Sequence, residues 1–353
     1  MAGYLGRRMG DKPIGIIGAG AFGAVMANVA AVNGPVLLYT RDRERAREAN
    51  AAREIRGTAL AECTTVVADE AELCARCDVV LPIVPSTAFR RTMRTFSEHL
   101  TPRHFVIHGV KGFDVPVQRG ASWTKRRLGR ADVRTMSEVI REETTVVRIG
   151  CLSGPNLSRE IAEGQPTATV VASEFDEVVA AGQAALSTDR FQVFGSRELL
   201  GAEIAGALKN GLAIGSGILD GYGLGRNIQA TLLTRGLVEM VNLGRRMGAG
   251  SRAFLGSAGI GDLIATSTSR DSRNFTLGRR IGSGETLREI TGGSDVLTEG
   301  VRTLRIAREL TRHYRLHLPI FNTLHAVTVD GYPVARALRF LMTYPYDVDV
   351  DFV

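Results

Sequence analysis

Short apolar runs alternate with amphipathic stretches along the first half of the chain. The runs are rich in Val, Ile and Leu, as expected of strands that are buried on both faces of a sheet. The pattern predicts strands at Ile14–Ile17, Val36–Tyr39, Thr65–Ala68, Val79–Val84, Phe105–His108, Val146–Cys151, Thr167–Ala172 and Phe191–Phe194. Helices are predicted at Phe22–Val32, Asp42–Ala52, Glu70–Arg76, Ser86–His99 and Glu174–Leu186. This alternation of strand and helix indicates an α/β domain with a parallel sheet.

The pattern changes after about Arg197, where apolar residues recur at helical spacing without a convincing strand. Long helices are predicted at Gly201–Leu219, Gln229–Met247, Val301–Thr311 and Ile320–Val329. We therefore expect two domains, an α/β domain over residues 1–199 and an all-helical domain over residues 200–353.

Composition narrows the class of protein. With 353 residues, 44% hydrophobic and 23% charged, the chain can bury two cores, which excludes disordered, collagen-like and coiled-coil proteins. Four cysteines are too few for a disulfide scaffold and favour a reducing compartment. The net charge of +7 suggests an anionic substrate or nucleic acid. Most arginines alternate with acidic residues, as on a solvated surface, so we favour the substrate.

One uncharged stretch, Pro13–Thr40, is long enough to span a bilayer. Glycines at 18, 20 and 23 and the break at Asn33-Gly34-Pro35 divide it into short pieces. A strand, helix and strand fit these pieces better than a membrane span. Residues 1–11 lack the apolar region of a secretory signal, so we expect a cytoplasmic protein without stable membrane insertion.

The first strand leads into Gly18-Ala19-Gly20-Ala21-Phe22-Gly23 and an apolar helix, which is the GxGxxG pattern in its required setting. Gly18 permits the tight turn, Gly20 lets the backbone approach a pyrophosphate, and Gly23 lets helix and strand pack closely. The alternative, a glycine-rich turn without a ligand, is disfavoured because the whole βαβ unit is present. The sequence thus predicts an N-terminal, doubly wound sheet of Rossmann type that binds a dinucleotide.

The choice between NAD and NADP depends on the end of the second strand. NAD-binding proteins usually carry an acid there for the ribose 2′-hydroxyl, whereas Tyr39-Thr40 leads into Arg41-Asp42. Arg41 can bind a 2′-phosphate, and Asp42 is placed to cap the next helix. We expect NADP(H), with NAD(H) as the alternative.

Several segments outside this loop combine small, polar and cationic residues in ways that a packed core would not select. They are HGVKG (108–112), LSGPN (152–156), GALKNGLAIGSGILDGYGLG (206–225), GIGDLIATSTSRDSRN (259–274) and LTEG (297–300). In this order, and with the glycine loop, they resemble the NAD(P)-dependent glycerol-3-phosphate dehydrogenases of the bacterial type over nearly the whole chain. The resemblance implies interconversion of dihydroxyacetone phosphate and sn-glycerol 3-phosphate, which feeds glycerophospholipid synthesis.

Lys209 is the candidate for proton transfer. Reduction of a ketone develops negative charge on its oxygen, so the site needs a proton donor within hydrogen-bond reach. Lys209 is one of four lysines and lies in a glycine-rich apolar helix, although a solvated lysine at a helix end is the alternative. The family's catalytic lysine matches this position. Nearby cations such as Lys111 and Arg273 would lower its pKa, and Asp262 would raise it while orienting the ammonium group.

A three-carbon substrate must gain most of its binding energy from its phosphate. Ser272, Arg273 and Asn274 precede a predicted helix, Phe275–Ile281, and offer a hydroxyl, a guanidinium and an amide. The alternative is a helix N-cap at Asp271 or Ser272 beside solvated arginines.

The resemblance adds residues on both sides of the expected site. Gly154 and Asn156 match substrate-binding positions, although threonine is common where Asn156 stands. The substrate-binding set is Lys111, Gly154, Asn156, Lys209, Asp262, Ser272, Arg273 and Asn274, of which Lys209 and Asp262 are the catalytic pair. The cofactor-binding set is Gly18, Gly20, Ala21, Phe22, Gly23, Arg41, Lys111, Ser158, Arg273, Leu297 and Glu299.

Other motifs are weaker. Cys74 and Cys77 form a CxxC without a second pair, which fits a helix end with incidental thiols better than a metal or redox site. His313 and His317 have helical i, i+4 spacing but no third ligand, so no metal site is expected. His108 fits either a substrate cleft or a core.

Residues 114–134 have no counterpart in the family pattern and are expected to form an exposed loop.

Two other functions stay open: a related dehydrogenase that acts on a hydroxy acid without phosphate, and a basic dinucleotide-binding protein that contacts nucleic acid or an anionic membrane. The second rests only on net charge and on the cluster at Lys125. We expect a phosphorylated small-molecule substrate, no nucleic acid and a homodimer.

Overall fold

The computed structural model describes residues 12–116, 123–124, 126–292 and 298–345. They form two compact units. The sheet unit contains the described residues of 1–110 and 136–199, and the helical unit contains those of 111–135 and 200–353.

The sheet unit contains one large sheet, a short hairpin and flanking helices. Its strands are β1 (Ile14–Ile17), β2 (Val36–Tyr39), β3 (Glu54–Ile55), β4 (Thr58–Ala59), β5 (Thr64–Val67), β6 (Val79–Pro82), β7 (Phe105–His108), β8 (Arg148–Ser153), β9 (Thr167–Ser173) and β10 (Phe191–Ser196). Its helices are α1 (Ala21–Ala31), α2 (Arg43–Ala52), α3 (Glu70–Arg76), α4 (Ser86–Phe96), α5 (Met136–Glu143), α6 (Ser158–Ala162) and α7 (Asp176–Leu186). The hairpin β3–β4 was not predicted.

The order of strands in the large sheet is β10-β9-β8-β7-β6-β1-β2-β5. All residues of β1, β2 and β6 are buried, because helices cover both faces. The strand order and the parallel pairing from β5 through β1 to β8 confirm the predicted Rossmann-type sheet.

One pair of strands departs from the parallel expectation. β9 runs antiparallel to β8, and β10 is parallel to β9. A parallel return from β8 would require a helix that carries the chain back along a strand of about 20 Å. The connection holds only the five-residue helix α6, which rises about 7.5 Å. The short connection between β8 and β9 therefore favours an antiparallel pair.

The helical unit follows the predicted change of pattern. Its helices are α8 (Leu199–Gly221), α9 (Arg226–Arg246), α10 (Arg252–Leu255), α11 (Asp262–Thr268), α12 (Arg273–Gly282), α13 (Leu287–Thr291), α14 (Glu299–Tyr314), α15 (Pro319–Asp330) and α16 (Val334–Met342), with a π-helix at Ser257–Gly261. Across the part of the chain that the structure describes, every helix is too short or too polar to cross a membrane.

The segment 111–135 corrects two expectations. Its apolar side chains are buried in the core of the helical unit, namely Phe113, Val115, Trp123, Leu128 and Val133. Its two ends are joined by an antiparallel bridge between Asp114 and Arg134. The described part of 114–134 is therefore not the exposed loop expected from the sequence. The segment also belongs to the helical unit, and not to the first domain in which a boundary near residue 200 placed it.

Helices α8 and α12 touch along their backbones. A Cβ atom on Gly217 would lie 2.1 Å from the carbonyl oxygen of Phe275, and one on Gly278 would lie 2.0 Å from that of Ile214. Gly221 and Gly282 repeat the contact one turn further on. Because a side chain cannot fit between two backbones at this distance, the glycines set the spacing of the two helices. We call this contact the glycine seam.

An alanine in the glycine seam should therefore destabilise the protein. We expect Gly278→Ala to lower the free energy of unfolding by about 1–3 kcal/mol, because its methyl group must push α8 and α12 apart. Chemical denaturation measures this. Gly225→Ala is the matched control, since a Cβ there meets nothing within 4 Å. Equal stability of the two variants would contradict the role of the seam.

Candidate active site

A carboxylate lies between two lysines in the helical unit. Lys209 projects from α8, Asp262 is the first residue of α11, and Lys111 begins the segment 111–135. Nζ of Lys209 donates to Oδ1 of Asp262, and Nζ of Lys111 donates to Oδ2 of the same carboxylate at 2.5 Å. The structure thus brings together three residues that are far apart in the sequence.

Burial controls the chemistry of Lys209. Its side chain is 6% exposed and that of Asp262 is 1% exposed, so Lys209 is not the solvated lysine of the alternative interpretation. Burial lowers the pKa of Lys209 to about 7, with Asp262 raising it and Lys111 lowering it. The sequence argument named neighbouring cations as the cause, whereas burial has the larger effect. A lysine with this pKa can donate or accept a proton near neutral pH.

Thr266 completes the environment of Lys209 and was missed by the sequence argument. Nζ of Lys209 donates to Oγ1 of Thr266 at 2.5 Å, and this hydroxyl donates to Oδ1 of Asp262 at 3.3 Å. Thr266 follows Asp262 by four residues on α11, so both side chains occupy one face of that helix. The i, i+4 spacing of Asp262 and Thr266 is the sequence signal from which Thr266 could have been predicted.

The predicted anion site lies at the N-terminus of α12. Ser272 is the N-cap, and its buried hydroxyl accepts a hydrogen bond from the backbone N–H of Phe275 at 3.3 Å. Arg273 is exposed at the first turn and forms no ion pair with any residue that the structure describes. An uncompensated guanidinium beside the positive end of a helix attracts anions. Ser272 therefore has the capping role that was the alternative interpretation, and this role leaves the guanidinium of Arg273 available to bind an anion.

Asn274 connects this helix to its neighbours through Asn210, which the sequence argument also missed. Nδ2 of Asn274 donates to Oδ1 of Asn210 at 2.9 Å, and Oδ1 of Asn274 accepts from the N–H of Gly300 at 3.1 Å. Nδ2 of Asn210 donates to the carbonyl oxygen of Lys111 at 3.3 Å. The two amides therefore hold Lys111, α12 and the start of α14 in register.

In the sheet unit the glycine loop forms a tight cradle. Gly18 has φ +121°, and a Cβ there would lie 2.3 Å from the carbonyl oxygen of Ile83. A Cβ on Gly23 would lie 1.8 Å from that of Gly18. A Cβ on Gly20 meets nothing within 4 Å, and α1 begins at Ala21 without a side-chain cap. Open space before uncapped N–H groups fits the pyrophosphate of a dinucleotide, with Phe22 half-buried beside it.

The end of β2 carries the residues from which the sequence predicted the choice of cofactor. Oδ1 of Asp42 accepts from the N–H groups of Glu44 and Arg45 at 3.1 and 3.2 Å, so this acid is the N-cap of α2. Arg41 beside it is exposed. The hydroxyl of Tyr39 donates to Glu70, and burial together with this carboxylate raises its pKa. Two roles were considered for Asp42, binding a ribose hydroxyl and capping the next helix, and the geometry shows the helix cap.

Another polar group lies at the carboxyl end of β8. Gly154 is buried, and Ser158 begins α6, which packs against α1. The hydroxyl of Thr169 donates to the carbonyl oxygen of Ser153 at 3.1 Å, so it must accept from Nδ2 of Asn156, 3.0 Å away. This orients Oδ1 of Asn156 away from Thr169. That oxygen is buried, and no described residue donates to it. A buried acceptor of this kind fits a ligand that carries a donor.

The remaining sequence candidates are Glu299, Leu297 and the cysteine pair. Glu299 is the first residue of α14, and Leu297 lies outside the described residues. Cys74 and Cys77 are buried free thiols at the end of α3, and burial raises the pKa of each to about 12.

The two histidines do not share a helix as expected, because α14 ends at Tyr314, before His317. No group of three or more metal-binding side chains occurs among the described residues. His108 is buried at the end of β7, with Nδ1 3.4 Å from the N–H of Val110 and its ring against Phe89. It therefore fits the core interpretation.

Comparison with known proteins gives the same family along the chain. The N-terminal model of the NAD-dependent glycerol-3-phosphate dehydrogenases matches residues 13–179, and the C-terminal model matches residues 198–339. A glycerol-3-phosphate dehydrogenase (NAD(P)+) of Pseudomonas aeruginosa (strain LESB58) is 36% identical over 348 residues, which is 97% of this chain and 98% of that protein. Its counterpart in Saccharophagus degradans is 36% identical over 95% of this chain and 91% of that protein.

Solved structures agree. The glycerol-3-phosphate dehydrogenase of Coxiella burnetii has a TM-score of 0.80 at 28% identity and covers 94% of this chain and 99% of its own. A ketopantoate reductase of Ralstonia eutropha, with a TM-score of 0.52 at 14% identity over 89% of this chain and 96% of its own, shares the fold alone. The two family models and the near-complete overlap with these relatives show that the chain belongs to the NAD-dependent glycerol-3-phosphate dehydrogenases.

Proposed function

We propose that this chain interconverts dihydroxyacetone phosphate and sn-glycerol 3-phosphate with NAD(P)H. Family membership supports the reaction, and the observation that carries it at the residue level is the buried Lys209 beside Asp262 and Lys111. The bound dihydronicotinamide supplies the hydride. In this proposal the helical unit, residues 200–353 with the segment 111–135, supplies the proton donor and the phosphate-binding side chains. The sheet unit supplies the glycine loop for the cofactor and the substrate-binding positions Gly154 and Asn156.

Lys209 is the proton donor in the reduction. As hydride reaches the carbonyl carbon, the ketone oxygen becomes an alkoxide, and the ammonium group of Lys209 gives it a proton. In the oxidation, neutral Lys209 takes the hydroxyl proton. Asp262 and the hydroxyl of Thr266 hold Nζ in place, and a pKa of about 7 lets the group work in both directions. Lys111 balances the carboxylate, which leaves a net positive charge for an anionic substrate.

The phosphate binds at the N-terminus of α12. Arg273 supplies a planar pair of donors, and Ser272 and Asn274 supply further polar groups at the first turn of the helix. Gly154 and Asn156 form the other part of the substrate site. The exposed, unpaired Arg273 argues against the alternative of a hydroxy acid without phosphate, since that substrate gives the guanidinium no partner.

The cofactor binds along the glycine loop in this proposal. Gly18, Gly20, Ala21, Phe22 and Gly23 hold the pyrophosphate, and Arg41 holds a 2′-phosphate. Because Asp42 caps α2, its carboxylate is already engaged, which favours NADP(H) over NAD(H). The family positions at Lys111, Ser158, Arg273, Leu297 and Glu299 complete the site.

We further propose a cytoplasmic homodimer that feeds glycerophospholipid synthesis. Four free cysteines fit a reducing compartment. Exposed apolar side chains on the helical unit, among them Leu255, Ile264 and Phe340, support an interface between copies.

Replacing Lys209 tests the proton transfer. We expect Lys209→Met to lower kcat about 10²- to 10⁴-fold, while Lys12→Met, which removes a half-exposed lysine paired with Asp78, leaves it unchanged. In the wild type, kcat/KM for the reduction should fall as the pH rises through about 7, because the ammonium form is the donor, and the oxidation should show the opposite slope. A folded Lys209→Met variant that keeps more than about a tenth of kcat would contradict the role.

Replacing Arg273 tests the phosphate site and with it the substrate. Oxidation of NAD(P)H should be fast with dihydroxyacetone phosphate and absent with dihydroxyacetone. Arg273→Ala should raise KM for the phosphate ester about tenfold or more, because a charged hydrogen bond is lost. Arg280→Ala, on the same helix but paired with Glu285, is the control. An increase in KM of less than about threefold would refute the assignment.

Replacing Arg41 tests cofactor selection. The wild type should use NADPH more efficiently than NADH, and Arg41→Ala should raise KM for NADPH about tenfold with little effect on NADH. The control is Arg47→Ala, an exposed arginine of α2 that pairs with Glu44. Equal changes for the two cofactors would show that Arg41 does not contact the 2′-phosphate.

A further inference from the structure

The chain does not enter α11 through an ordinary α-helical turn. It passes through the π-helix Ser257–Gly261, in which the N–H of Gly261 donates to the carbonyl oxygen of Gly256 at 3.3 Å, an i to i−5 bond. The N–H of Asp262 makes the same type of bond to Ser257. Such a turn holds one residue more than an α-helical turn and therefore rotates the residues after it. The residue rotated into place here is Asp262.

The π-helix is pressed against the backbone that precedes it. A Cβ on Gly259 would lie 2.2 Å from the carbonyl oxygen of Phe254 and 2.4 Å from its Cα. Neither is a side-chain atom that could move aside by rotation. Any residue larger than glycine would therefore force the π-helix and the start of α11 away from α10.

Phe254 is itself fixed in the core. It is fully buried, and its ring faces Gly244 of α9, where a Cβ would lie 2.3 Å from Cζ of the ring. The path of contacts runs from α9 through Phe254 to Gly259, and from there to Asp262, whose backbone N–H donates to the carbonyl oxygen of Gly259. Each step is a backbone contact or a ring held in a packed core.

We propose that Gly259 is a positioning residue for the reaction: its close contact with the backbone of Phe254 holds the π-helix in the register that places the Asp262 carboxylate between Lys209 and Lys111. The proposal rests on the proposed role of Lys209 and Asp262. Gly259 is buried and has no side chain, and its carbonyl oxygen accepts from the N–H of Asp262, so we expect its effect to pass through Asp262.

The test compares Gly259→Ala with Gly256→Ala in the intact protein. A Cβ on Gly256 meets nothing closer than 3.7 Å, so the control adds the same methyl group three residues away without a clash. The readout is the pKa of Lys209, followed by NMR of protein labelled with ¹³C-lysine. Only four lysines contribute signals, and the spectrum of Lys209→Met identifies that of Lys209.

In Gly259→Ala we expect the pKa of Lys209 to fall by about one unit, because the carboxylate that stabilises the ammonium form moves away. The pKa in Asp262→Asn should fall in the same direction. We expect kcat for the reduction at neutral pH to fall about 10- to 100-fold in Gly259→Ala, and both quantities to stay at the wild-type values in Gly256→Ala.

A folded Gly259→Ala variant whose Lys209 has the wild-type pKa would overturn the proposal, whether or not its activity falls, because a loss of activity alone would reflect a general structural role. If Gly259→Ala does not fold, Phe254→Leu serves instead. This change leaves the contact of Gly259 with the backbone in place but loosens the packing of the ring against Gly244, which fixes that backbone, and it must lower the pKa of Lys209 for the proposal to stand.

These outcomes separate the proposal from the proposed function. If Lys209→Met retained activity, the role of Lys209 in proton transfer would fail. A lower pKa of Lys209 in Gly259→Ala would still show that Gly259 positions Asp262.

Discussion

The close contact of two helix backbones fixes the position of Lys209 relative to the N-terminus of α12. Helix α8 carries Lys209 and α12 carries Arg273 at its first turn, and the glycine seam brings the two helices into direct contact. A three-carbon substrate spans only a few ångströms between its ketone and its phosphate. In our proposal, the separation of proton donor and anion site is therefore set by main-chain atoms, which vary less than side-chain rotamers.

The same region holds a cluster of three charged side chains. Two ammonium groups share the single carboxylate of Asp262, and burial disfavours the charged form of Lys209. Arginine is the common cation of this chain, yet it cannot lose its proton and would hold a permanent charge in this position. A lysine at position 209 combines a strong interaction with Asp262 with a proton that can leave, which an arginine in the same position would not.

Local pattern was enough to predict much of the fold. The apolar strands, the glycine loop and the long helices α8 and α9 each have a periodicity or a motif that depends on neighbours in sequence. The motif around Lys209 and the helix after Ser272 were found in the same way. The antiparallel pair β8–β9 was missed because the direction of a strand depends on the connection before it. The apolar pattern of a strand does not show whether it pairs parallel or antiparallel.

Other features depend on partners that are distant in the sequence. The burial of Lys209 sets its pKa and comes from helices that a linear pattern does not place together. Asn210 was passed over because an amide beside a catalytic candidate has no distinctive spacing. The π-helix has no periodicity that separates it from an α-helix. The lack of a counterpart for 114–134 in the family pattern suggested an exposed loop, although five apolar residues in and beside it reach the helical core.

That segment has a consequence for how the chain folds during synthesis. Trp123 packs under the guanidinium of Arg302, and Nε of Arg302 donates to the carbonyl oxygen of Phe113, 189 residues earlier in the chain. Chain leaving the ribosome through residue 199 contains every strand of the sheet but none of the long helices against which these aromatic residues pack. The nascent protein carries this apolar segment uncovered until the helices of residues 200–353 have been made. The interval between synthesis of the segment and synthesis of these helices is therefore the period of greatest exposure to aggregation.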